Sequence, residues 1–288
     1  MILGVDVGSY SVKSSKGVTF LSKLTKHGGF EENSDYIIID SDKWYLGEGD
    51  FDTEYRKAYR KSYINLMYAA IALSTDEAYN NVVVGLPLSQ YKEDRDYLRN
   101  IILQNSNKNL VINDVSKQIV IKDLEVVPEG IAAVNDNFEG IVIDIGGRTT
   151  DICLITNEFN KRKINKPYSL PLGVLNLEND FISIINNTYA LDLFPEDTQR
   201  ILNKGLKIYG EEKEIDFAME VYKKFVNKVI SILQVDYPIR THNIALIGGG
   251  AEILQKPFIK RLPNAELMRD GYFSNAIGYE FIGKEIWG

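Results

Sequence analysis

Two short segments each place an acid at the end of an apolar strand pattern and follow it with glycine and hydroxyl residues. The first runs Asp6-Val7-Gly8-Ser9-Tyr10-Ser11-Val12-Lys13. Its glycine lets the main chain approach a ligand closely, and its amides and hydroxyls can hydrogen-bond phosphate oxygens. Lys13 adds a point charge for a phosphate, and Asp6 could hold water on Mg²⁺. Taken alone, the segment also fits a β-hairpin turn with a satisfied aspartate.

The second segment, Asp144-Ile145-Gly146-Gly147-Arg148-Thr149-Thr150-Asp151, follows the same logic in the other half of the chain. An acid buried at a strand end costs free energy unless it is paired or lies near a cation. Two permissive glycines and two hydroxyls can receive a phosphate. Because two such turns occur in one chain, a site for phosphate and metal is favoured over two unrelated hairpins.

A third turn, Gly248-Gly249-Gly250, lies between an apolar strand pattern at 244–247 and a helical pattern that opens at Ala251. Glycines at a helix N-terminus permit the close approach of a flat or charged ligand. The spacing is not the dinucleotide fingerprint G-x-G-x-x-G, and the chain contains no G-K-[ST] of a P-loop. Taken alone, the turn also fits a tight strand-to-helix connection without a ligand.

Glu129 precedes the strand that leads to the second turn, in the segment Val126-Val127-Pro128-Glu129-Gly130-Ile131-Ala132-Ala133. A carboxylate at this place could orient or deprotonate an attacking water. The alternative is a glutamate in the first turn of a short helix at 129–134, where it would stabilise the helix dipole.

The elements that position these residues are predicted from hydrophobic periodicity, which alternates between strand-like and helix-like stretches and indicates mixed α/β architecture. Strands are predicted over 1–7, 81–86, 140–145, 151–156 and 244–247, with antiparallel strands within 12–39 and two more within 111–127. Helices are predicted from Asp52 or Thr53 through Leu73, and over 92–102, 129–134, 181–189 and 216–234. The pattern of strand, acid and glycine at 3–8 recurs at 142–147, which indicates duplicated domains around a cleft.

Composition limits the class of protein. The 288 residues include 33 Lys and Arg against 40 Asp and Glu, so the net charge is −7 and the pI is near 5.1. Without a broad basic surface, direct binding to nucleic acid is not expected. The single cysteine, Cys153, excludes an intramolecular disulfide. No apolar run approaches the ~18 residues of a membrane span, and the chain opens on a strand pattern, so we expect a soluble, cytoplasmic protein without membrane contact.

Taken together, the two phosphate turns and the triple-glycine turn, in this order, resemble the actin/Hsp70/sugar-kinase ATPase superfamily. Within it, the sequence is similar to the ParM-like bacterial actins, which are plasmid-segregating filament proteins. The segments that carry the resemblance run almost from end to end: 6–13, 85–91, 128–133, 144–151, 172–174, 247–252 and 275–278.

The resemblance implies an α/β fold of duplicated actin-like (ribonuclease H-like) domains, each a mixed five-stranded sheet with helices, around a nucleotide cleft. Domain I would span 1–135, and a C-terminal helix at about 274–288 would return to it. Domain II would span 136–273 and carry a reduced outer subdomain, because only about 100 residues separate its two turns.

The resemblance also implies roles for the matching residues. The β-phosphate and its neighbours would be held by Gly8, Ser9, Tyr10, Ser11 and Lys13, and the γ-phosphate side by Gly146, Gly147, Arg148 and Thr149. The adenosine would be flanked by Gly248, Gly249 and Gly250, with Gly173 near the ribose and Lys204 approaching the base. Mg²⁺ would be positioned by Asp6 and Asp144, largely through water, and the hydrolytic water by Glu129. Arg148 stands where the family has Thr or a small residue, so it either caps a phosphate or points outward.

The function implied is that of an actin-like ATPase that binds ATP (or GTP) with Mg²⁺ and polymerises into dynamic filaments. Such filaments would move plasmid DNA through a DNA-bound adaptor protein at their ends. Two alternatives differ in class. One is a non-polymerising ATPase of the same fold that acts as a regulator or chaperone-like protein, and the other is a structural protein that binds nucleotide without useful turnover.

Overall fold

The computed structural model describes residues 1–29, 34–159 and 161–288. Its first nine strands are β1 (Ile2–Val7), β2 (Ser11–Ser14), β3 (Thr19–Leu21), β4 (Lys23–Thr25), β5 (Tyr36–Ile39), β6 (Asp42–Phe51), β7 (Tyr79–Leu86), β8 (Asn107–Ile112) and β9 (Val115–Pro128). The remaining strands are β10 (Gly140–Ile145), β11 (Thr150–Glu158), β12 (Lys161–Leu170), β13 (Leu206–Ile208), β14 (Glu211–Lys213), β15 (Asn243–Ile247) and β16 (Ala265–Leu267).

The helices are α1 (Tyr63–Ser74), α2 (Leu88–Gln104), α3 (Val174–Tyr189), α4 (Asp197–Lys204), α5 (Glu220–Asp236), α6 (Gly249–Arg261) and α7 (Ser274–Trp287). A short 3₁₀ segment, Lys57–Tyr59, precedes α1. Across the described ranges, none of these helices combines the length and apolar character needed to cross a membrane.

Five strands of the first main sheet, β3-β2-β1-β7-β9, have the same topology as the five strands of the second. In the described chain, nine strands form the first sheet in the order β3-β2-β1-β7-β9-β8-β5-β6-β4, and five form the second in the order β12-β11-β10-β15-β16. In the first sheet, β1 pairs antiparallel with β2 and parallel with β7, which pairs parallel with β9. In the second, β10 pairs antiparallel with β11 and parallel with β15, which pairs parallel with β16. The predicted duplication of mixed five-stranded sheets is therefore confirmed, and β8-β5-β6-β4 extend the first sheet beyond it.

The central strands are covered on both faces. Val82 and Val84 of β7 belong to the apolar core that α1 completes, whereas Val83 between them packs with Tyr279 of α7. Successive side chains of a strand point to opposite faces, so α1 and α7 cover opposite sides of the first sheet. Burial on both faces explains why β7 reads as a continuous apolar run without alternation.

Helix α7 packs on the first sheet at unusually close range. A Cβ added at Gly85 would lie 1.8 Å from the hydroxyl of Tyr279, and one at Gly278 would lie 1.9 Å from the carbonyl oxygen of Ala132. Neither glycine has a positive φ, so close approach and not backbone conformation requires these glycines. The C-terminal helix is thereby fixed against β7 and against the turn after Glu129.

Two predicted helices differ in the structure. The helix predicted from Asp52 or Thr53 begins instead at Tyr63. The Asp52 carboxylate accepts hydrogen bonds from the Glu54 amide (2.9 Å) and the Ser62 hydroxyl (3.1 Å), so it closes a loop and caps no helix. The short helix predicted over 129–134 is a turn, in which Gly130 has a φ of +79°. The helix-dipole interpretation of Glu129 is therefore wrong. The other predicted helices are present with shifted ends.

Candidate functional site

The carboxyl ends of β1, β10 and β15 open onto one cavity of about 240 Å³. The residues that follow these strands line it, as Gly8–Ser11, Gly146–Thr149 and Gly248–Gly250. Four charged residues predicted for the site also line it: Asp6, Lys13, Glu129 and Asp144. Crevices at the carboxyl ends of parallel strands are a common place for ligands in α/β proteins. The structure thus brings together three turns that lie far apart in the sequence.

The first and second turns lie in direct contact. A Cβ added at Gly147 would lie 2.8 Å from the backbone nitrogen of Tyr10, so only glycine allows this approach. The Tyr10 hydroxyl donates a hydrogen bond of 3.4 Å to Glu178 on α3, and the Tyr10 ring stacks on Phe51 with centroids 5.6 Å apart. Tyr10 therefore connects the turn after β1 to a helix of the second half.

Gly173 packs against the backbone of the second turn. It is not among the residues that line the cavity. The amides at the start of α3 donate to this turn, from Val174 to the Gly146 carbonyl (3.0 Å) and from Leu175 to the Gly147 carbonyl (2.9 Å). A Cβ at Gly173 would lie 2.5 Å from the Gly146 oxygen. The contact visible in the structure is thus one of packing.

The third turn brings the N-terminus of α6 to the cavity. Gly248 has a φ of +85°, and a Cβ added there would lie 2.6 Å from Oδ1 of Asp144. Helix α6 begins at Gly249, and the first amides of a helix have no intrahelical acceptor. Together with the helix dipole, these amides favour an anion or a polar ligand at this end of the cavity.

A buried lysine that the sequence analysis missed connects two of the predicted acids. Nζ of Lys57 donates to Asp6 Oδ1 (3.3 Å) and to the Glu129 carboxylate, while Nζ of Lys13 donates to Asp6 Oδ2 (3.4 Å). Burial acts to raise the pKa of Asp6, but Lys13 and Lys57 outweigh it and hold that pKa below its ordinary value. Burial acts to lower the pKa of Lys57, and Glu129 and Asp6 reverse this and raise it. Lys57 therefore remains a cation in the site.

Asp144 lies at the end of β10 and is held by the C-terminal helix. Nδ2 of Asn275 donates to Oδ2 of Asp144 at 2.8 Å, and Oδ1 of Asn275 accepts from the Gly130 amide at 2.9 Å. Burial and the negative charge of Glu129 together raise the pKa of Asp144 to about 7. A cation bound beside Asp144 would favour its ionised form.

Thr149 is oriented by a second buried acid. Its hydroxyl donates to Oδ2 of Asp151 at 2.9 Å, and Asp151 also accepts from the Ser169 hydroxyl. Burial, together with the negative charge of Glu129, raises the pKa of Asp151 to about 7. The second turn is therefore anchored to β11 and β12 by side chains as well as by its backbone.

Arg148 points across the cavity to the first half of the chain. Its guanidinium donates to the carbonyl oxygens of Glu54 (2.8 Å) and Asp52. Arg60, just before α1, donates to the same Glu54 oxygen (3.2 Å) and to the Ser9 hydroxyl (2.8 Å). Of the two expectations for Arg148, the outward orientation is wrong, since Arg148 and Arg60 both line the cavity.

Lys204, like Gly173, is a predicted binding residue that does not line the cavity. It is the last residue of α4, is exposed and does not line the cavity. Gln199, five residues earlier on the same helix, does line it and donates to Glu178 at 3.2 Å. Burial raises the pKa of Glu178 to about 7 although Gln199 and Tyr10 donate to it. The helix containing Lys204 thus reaches the cavity through a different side chain.

Several site residues were not found from the sequence because they stand outside the strand-to-glycine pattern. They are Lys57, Arg60, Gln90, Glu178, Gln199, Tyr272 and Asn275. Nζ of Lys13 lies 4.7 Å from the centroid of the Tyr272 ring. The Tyr272 hydroxyl lies 3.1 Å from the Thr19 hydroxyl. Two signals were available, since Gln90 lies in segment 85–91 and Asn275 in segment 275–278 of the family resemblance, but no chemical role was assigned to either residue.

The donor set fits a nucleotide with magnesium better than a metal held by protein alone. Within residues 1–29, 34–159 and 161–288, no three His, Cys, Asp or Glu residues form a group that could hold a metal ion. Two carboxylates in the cavity, Asp6 and Asp144, provide the oxygen ligands that Mg²⁺ prefers. In nucleotide sites Mg²⁺ keeps several waters and takes phosphate oxygens as further ligands. The glycine turns leave room for such phosphates.

Comparison with known structures identifies the fold. The chain is similar to a 15-stranded ParM filament from Clostridium botulinum, at 18% identity over 99% of each chain with a TM-score of 0.84. It is similar to an archaeal actin homologue in complex with ADP, at 19% identity over 99% of each chain with a TM-score of 0.79. An AlfA filament bound to AMPPNP matches at 17% identity over 100% of this chain and 99% of that chain, with a TM-score of 0.63. The chain therefore has an actin-like fold, and its resemblance to ParM-like actins is confirmed at that level.

The sequence supports the same class over its first half. Residues 4–131 match the family described as actin like proteins N terminal domain. A comparison with curated protein sequences found no match. The matched segment contains most of β1, the first turn and Glu129, so it includes part of the cavity described above.

Proposed function

We propose that this chain is an actin-like ATPase whose cavity binds ATP, or GTP, together with Mg²⁺. The observation that carries the proposal is the convergence of three glycine turns with Lys13, Lys57, Asp6 and Asp144 on one cavity of about 240 Å³. The turns would receive the phosphates, and the N-terminus of α6 would lie beside the nucleoside. The ADP complex of the similar archaeal actin homologue supports this assignment.

Hydrolysis in this cavity would depend on positioning and on charge. The carboxylate of Glu129 would orient the attacking water and accept its proton, while Lys57, hydrogen-bonded to it, would fix its direction. Lys13 and the amides of the first two turns would stabilise charge on the phosphate oxygens. When bound, Mg²⁺ supplies further charge neutralisation, with Asp6 and Asp144 as the residues that would hold it through water.

The cavity lies between two domains in this proposal, 1–135 with α7 and 136–273. Contacts already span it, including Lys23 with Glu196 (2.5 Å) and Thr19 with Tyr272 (3.1 Å between hydroxyls). A ligand that touches both sides would favour the closed arrangement. Nucleotide binding and domain closure would therefore be coupled.

The cellular role we propose is a self-assembling, cytoplasmic filament that segregates plasmid DNA. Support comes from the ParM and AlfA filaments to which the chain is similar. With a net charge of −7, the protein would reach DNA through a DNA-bound adaptor protein at the filament end and not directly.

Calorimetric titration with ATP·Mg²⁺ and GTP·Mg²⁺ tests the binding step. Wild-type protein should bind at least one of them, and Gly147→Ala should weaken binding by about tenfold or more, because its Cβ would displace Tyr10 and narrow the meeting point of the two turns. Asn109→Ala, at an exposed position of β8 outside the cavity, is the control and should leave binding unchanged. A wild-type protein that binds neither nucleotide would refute the proposed function.

A further inference from the structure

The meeting point of the two phosphate turns contains two arginines without a carboxylate partner. Among the described residues, no carboxylate oxygen of an Asp or Glu side chain lies within 4.0 Å of a nitrogen of Arg60 or Arg148. Arg60 is 8% exposed and Arg148 is half-buried. Buried cations normally have a paired anion, because transfer of an unpaired charge from water is costly. These two residues instead donate to carbonyl oxygens and to one hydroxyl.

The two guanidinium groups also lie close to each other. Both donate to the carbonyl oxygen of Glu54, and they approach it from opposite halves of the chain. Burial lowers the pKa of Arg60 below its ordinary value and the positive charge of Arg148 lowers it further, while the negative charges of Glu129 and Asp52 offset only part of this. Two like charges that converge in a buried place are stabilised when an anion lies between them.

Their attachment places this positive charge at the phosphate turns. Arg60 donates to the hydroxyl of Ser9 in the first turn, and Arg148 is itself part of the second turn. Both line the cavity together with Gly8 and Gly147. A guanidinium can donate two parallel hydrogen bonds to phosphate oxygens. When a phosphate binds, its oxygens can therefore replace the carbonyl oxygens that now accept from these arginines.

We propose that Arg60 and Arg148 form a pair of cis-acting arginines that binds the terminal phosphate of a nucleoside triphosphate from both sides of the cleft. The inference rests on the proposed nucleotide site and adds to it. The pair would recognise the charge that a triphosphate has and a diphosphate lacks. The cleft would therefore bind a nucleoside triphosphate more tightly than a diphosphate. When the terminal phosphate binds, its oxygens would replace the carbonyl oxygens of Asp52 and Glu54 as acceptors, and the loop at Asp52–Glu54 would be released.

Paired titrations with ADP·Mg²⁺ and with a non-hydrolysable ATP analogue and Mg²⁺ test this inference. Wild-type protein should prefer the analogue. Arg148→Ala and Arg60→Ala should each weaken analogue binding by about tenfold or more, since charge-assisted hydrogen bonds to phosphate are the strong ones, and should change ADP binding by less than about threefold. Arg148→Lys and Arg60→Lys should restore part of the preference, because lysine keeps the charge without the two-pronged geometry.

Arg162→Ala is the matched control. Like Arg148, Arg162 donates to carbonyl oxygens, those of Ile131, Val134 and Asn135, but it does not line the cavity. Its removal should leave the ratio of the two affinities unchanged. Equal weakening of both nucleotides in the Arg60 and Arg148 variants would show a structural role and overturn the inference, as would no change in either. Wild-type binding of ADP and the analogue with equal affinity would overturn it while the proposed function stands, and binding of neither would overturn both.

Discussion

The amide of Asn275 donates to the carboxylate of Asp144 at 2.8 Å, although 131 residues separate them. The same side chain accepts from the Gly130 amide, so one residue of α7 holds both the acid at the end of β10 and the turn that carries Glu129. Helix α7 packs on β1 and β7, which end at the other side of the cavity. The C-terminal helix is therefore the physical link between the sheet of the first half and the second phosphate turn.

Replacement of Asn275 should weaken this link. Asn275→Ala leaves the buried Gly130 amide and the Asp144 carboxylate without their partner, which should lower the free energy of unfolding by about 1–3 kcal/mol. Urea denaturation measures the loss. Asn109→Ala, at an exposed position of β8, is the control and should change stability by less than about 0.5 kcal/mol. Equal effects of the two substitutions would contradict this role of Asn275.

Lys57 should be important for both stability and hydrolysis. Lys57→Met keeps the length of the side chain but leaves Asp6 and Glu129 without their shared cation, and breaking a buried pair in this way costs about 3–5 kcal/mol. Thermal unfolding should show the loss, and phosphate release should fall because Glu129 loses its orientation.

The surface pair of Lys163 with Glu158 provides the comparison for Lys57. Both side chains of this pair are about half exposed, so Lys163→Met should change stability by less than about 1 kcal/mol. If Lys57→Met were as mild as Lys163→Met, the buried cluster would not have the energetic role that its geometry indicates.

The stability of the protein should fall as pH rises between about 4.5 and 7, and Glu178 should account for part of this. Burial raises the pKa of Glu178 from an ordinary value of 4.5 to about 7. In that window the folded protein keeps a proton that the unfolded chain has released, so deprotonation favours unfolding. Glu178→Gln mimics the protonated form and should flatten the dependence by on the order of 1 kcal/mol.

Urea denaturation at several pH values measures this difference. The exposed residue Glu212 provides the control, and Glu212→Gln should leave the curve of the wild type unchanged. Parallel curves for wild type and Glu178→Gln would show that Glu178 does not titrate in this range.

The parts of the site that could be predicted from the sequence are those with a local cause. An apolar run that ends in acid and glycine, as at Asp6 and Asp144, marks a buried strand and the turn that must follow it. Repetition of that pattern predicted the duplicated domains. Parallel strands with a common topology then bring such turns to one edge, which is why three separate segments meet at one cavity.

The remaining site residues depend on tertiary contacts that leave no local pattern. Lys57 lies in a 3₁₀ segment where a longer helix was predicted, because the loop closed by Asp52 delays α1 to Tyr63. Arg60 reads as an ordinary charged residue until its contact with Ser9 is seen. Lys204 illustrates the opposite case. The family resemblance predicted that it approaches the base, but the residue of α4 that lines the cavity is Gln199.

Replacement of Glu129 should slow nucleotide hydrolysis without preventing nucleotide binding or filament assembly. Glu129→Gln keeps the size of the side chain and a hydrogen-bond acceptor for Lys57 but removes the base that would accept a proton from water. Phosphate release should fall by about 10²–10⁴-fold, the usual contribution of such a group. Nucleotide affinity should change little, because Glu129 is not assigned to the phosphates.

That the chain forms filaments whose disassembly depends on hydrolysis is tested most directly by two simultaneous measurements. Right-angle light scattering and phosphate release are recorded together while ATP·Mg²⁺ is added to wild-type protein and to Glu129→Gln. For the wild type we predict a rise in scattering above a threshold protein concentration, followed by decay as phosphate accumulates. For Glu129→Gln we predict the same rise without the decay. Hydrolysis with flat scattering at every concentration would contradict the filament and favour a non-polymerising regulator, and scattering that decays equally in both proteins would contradict the role of Glu129.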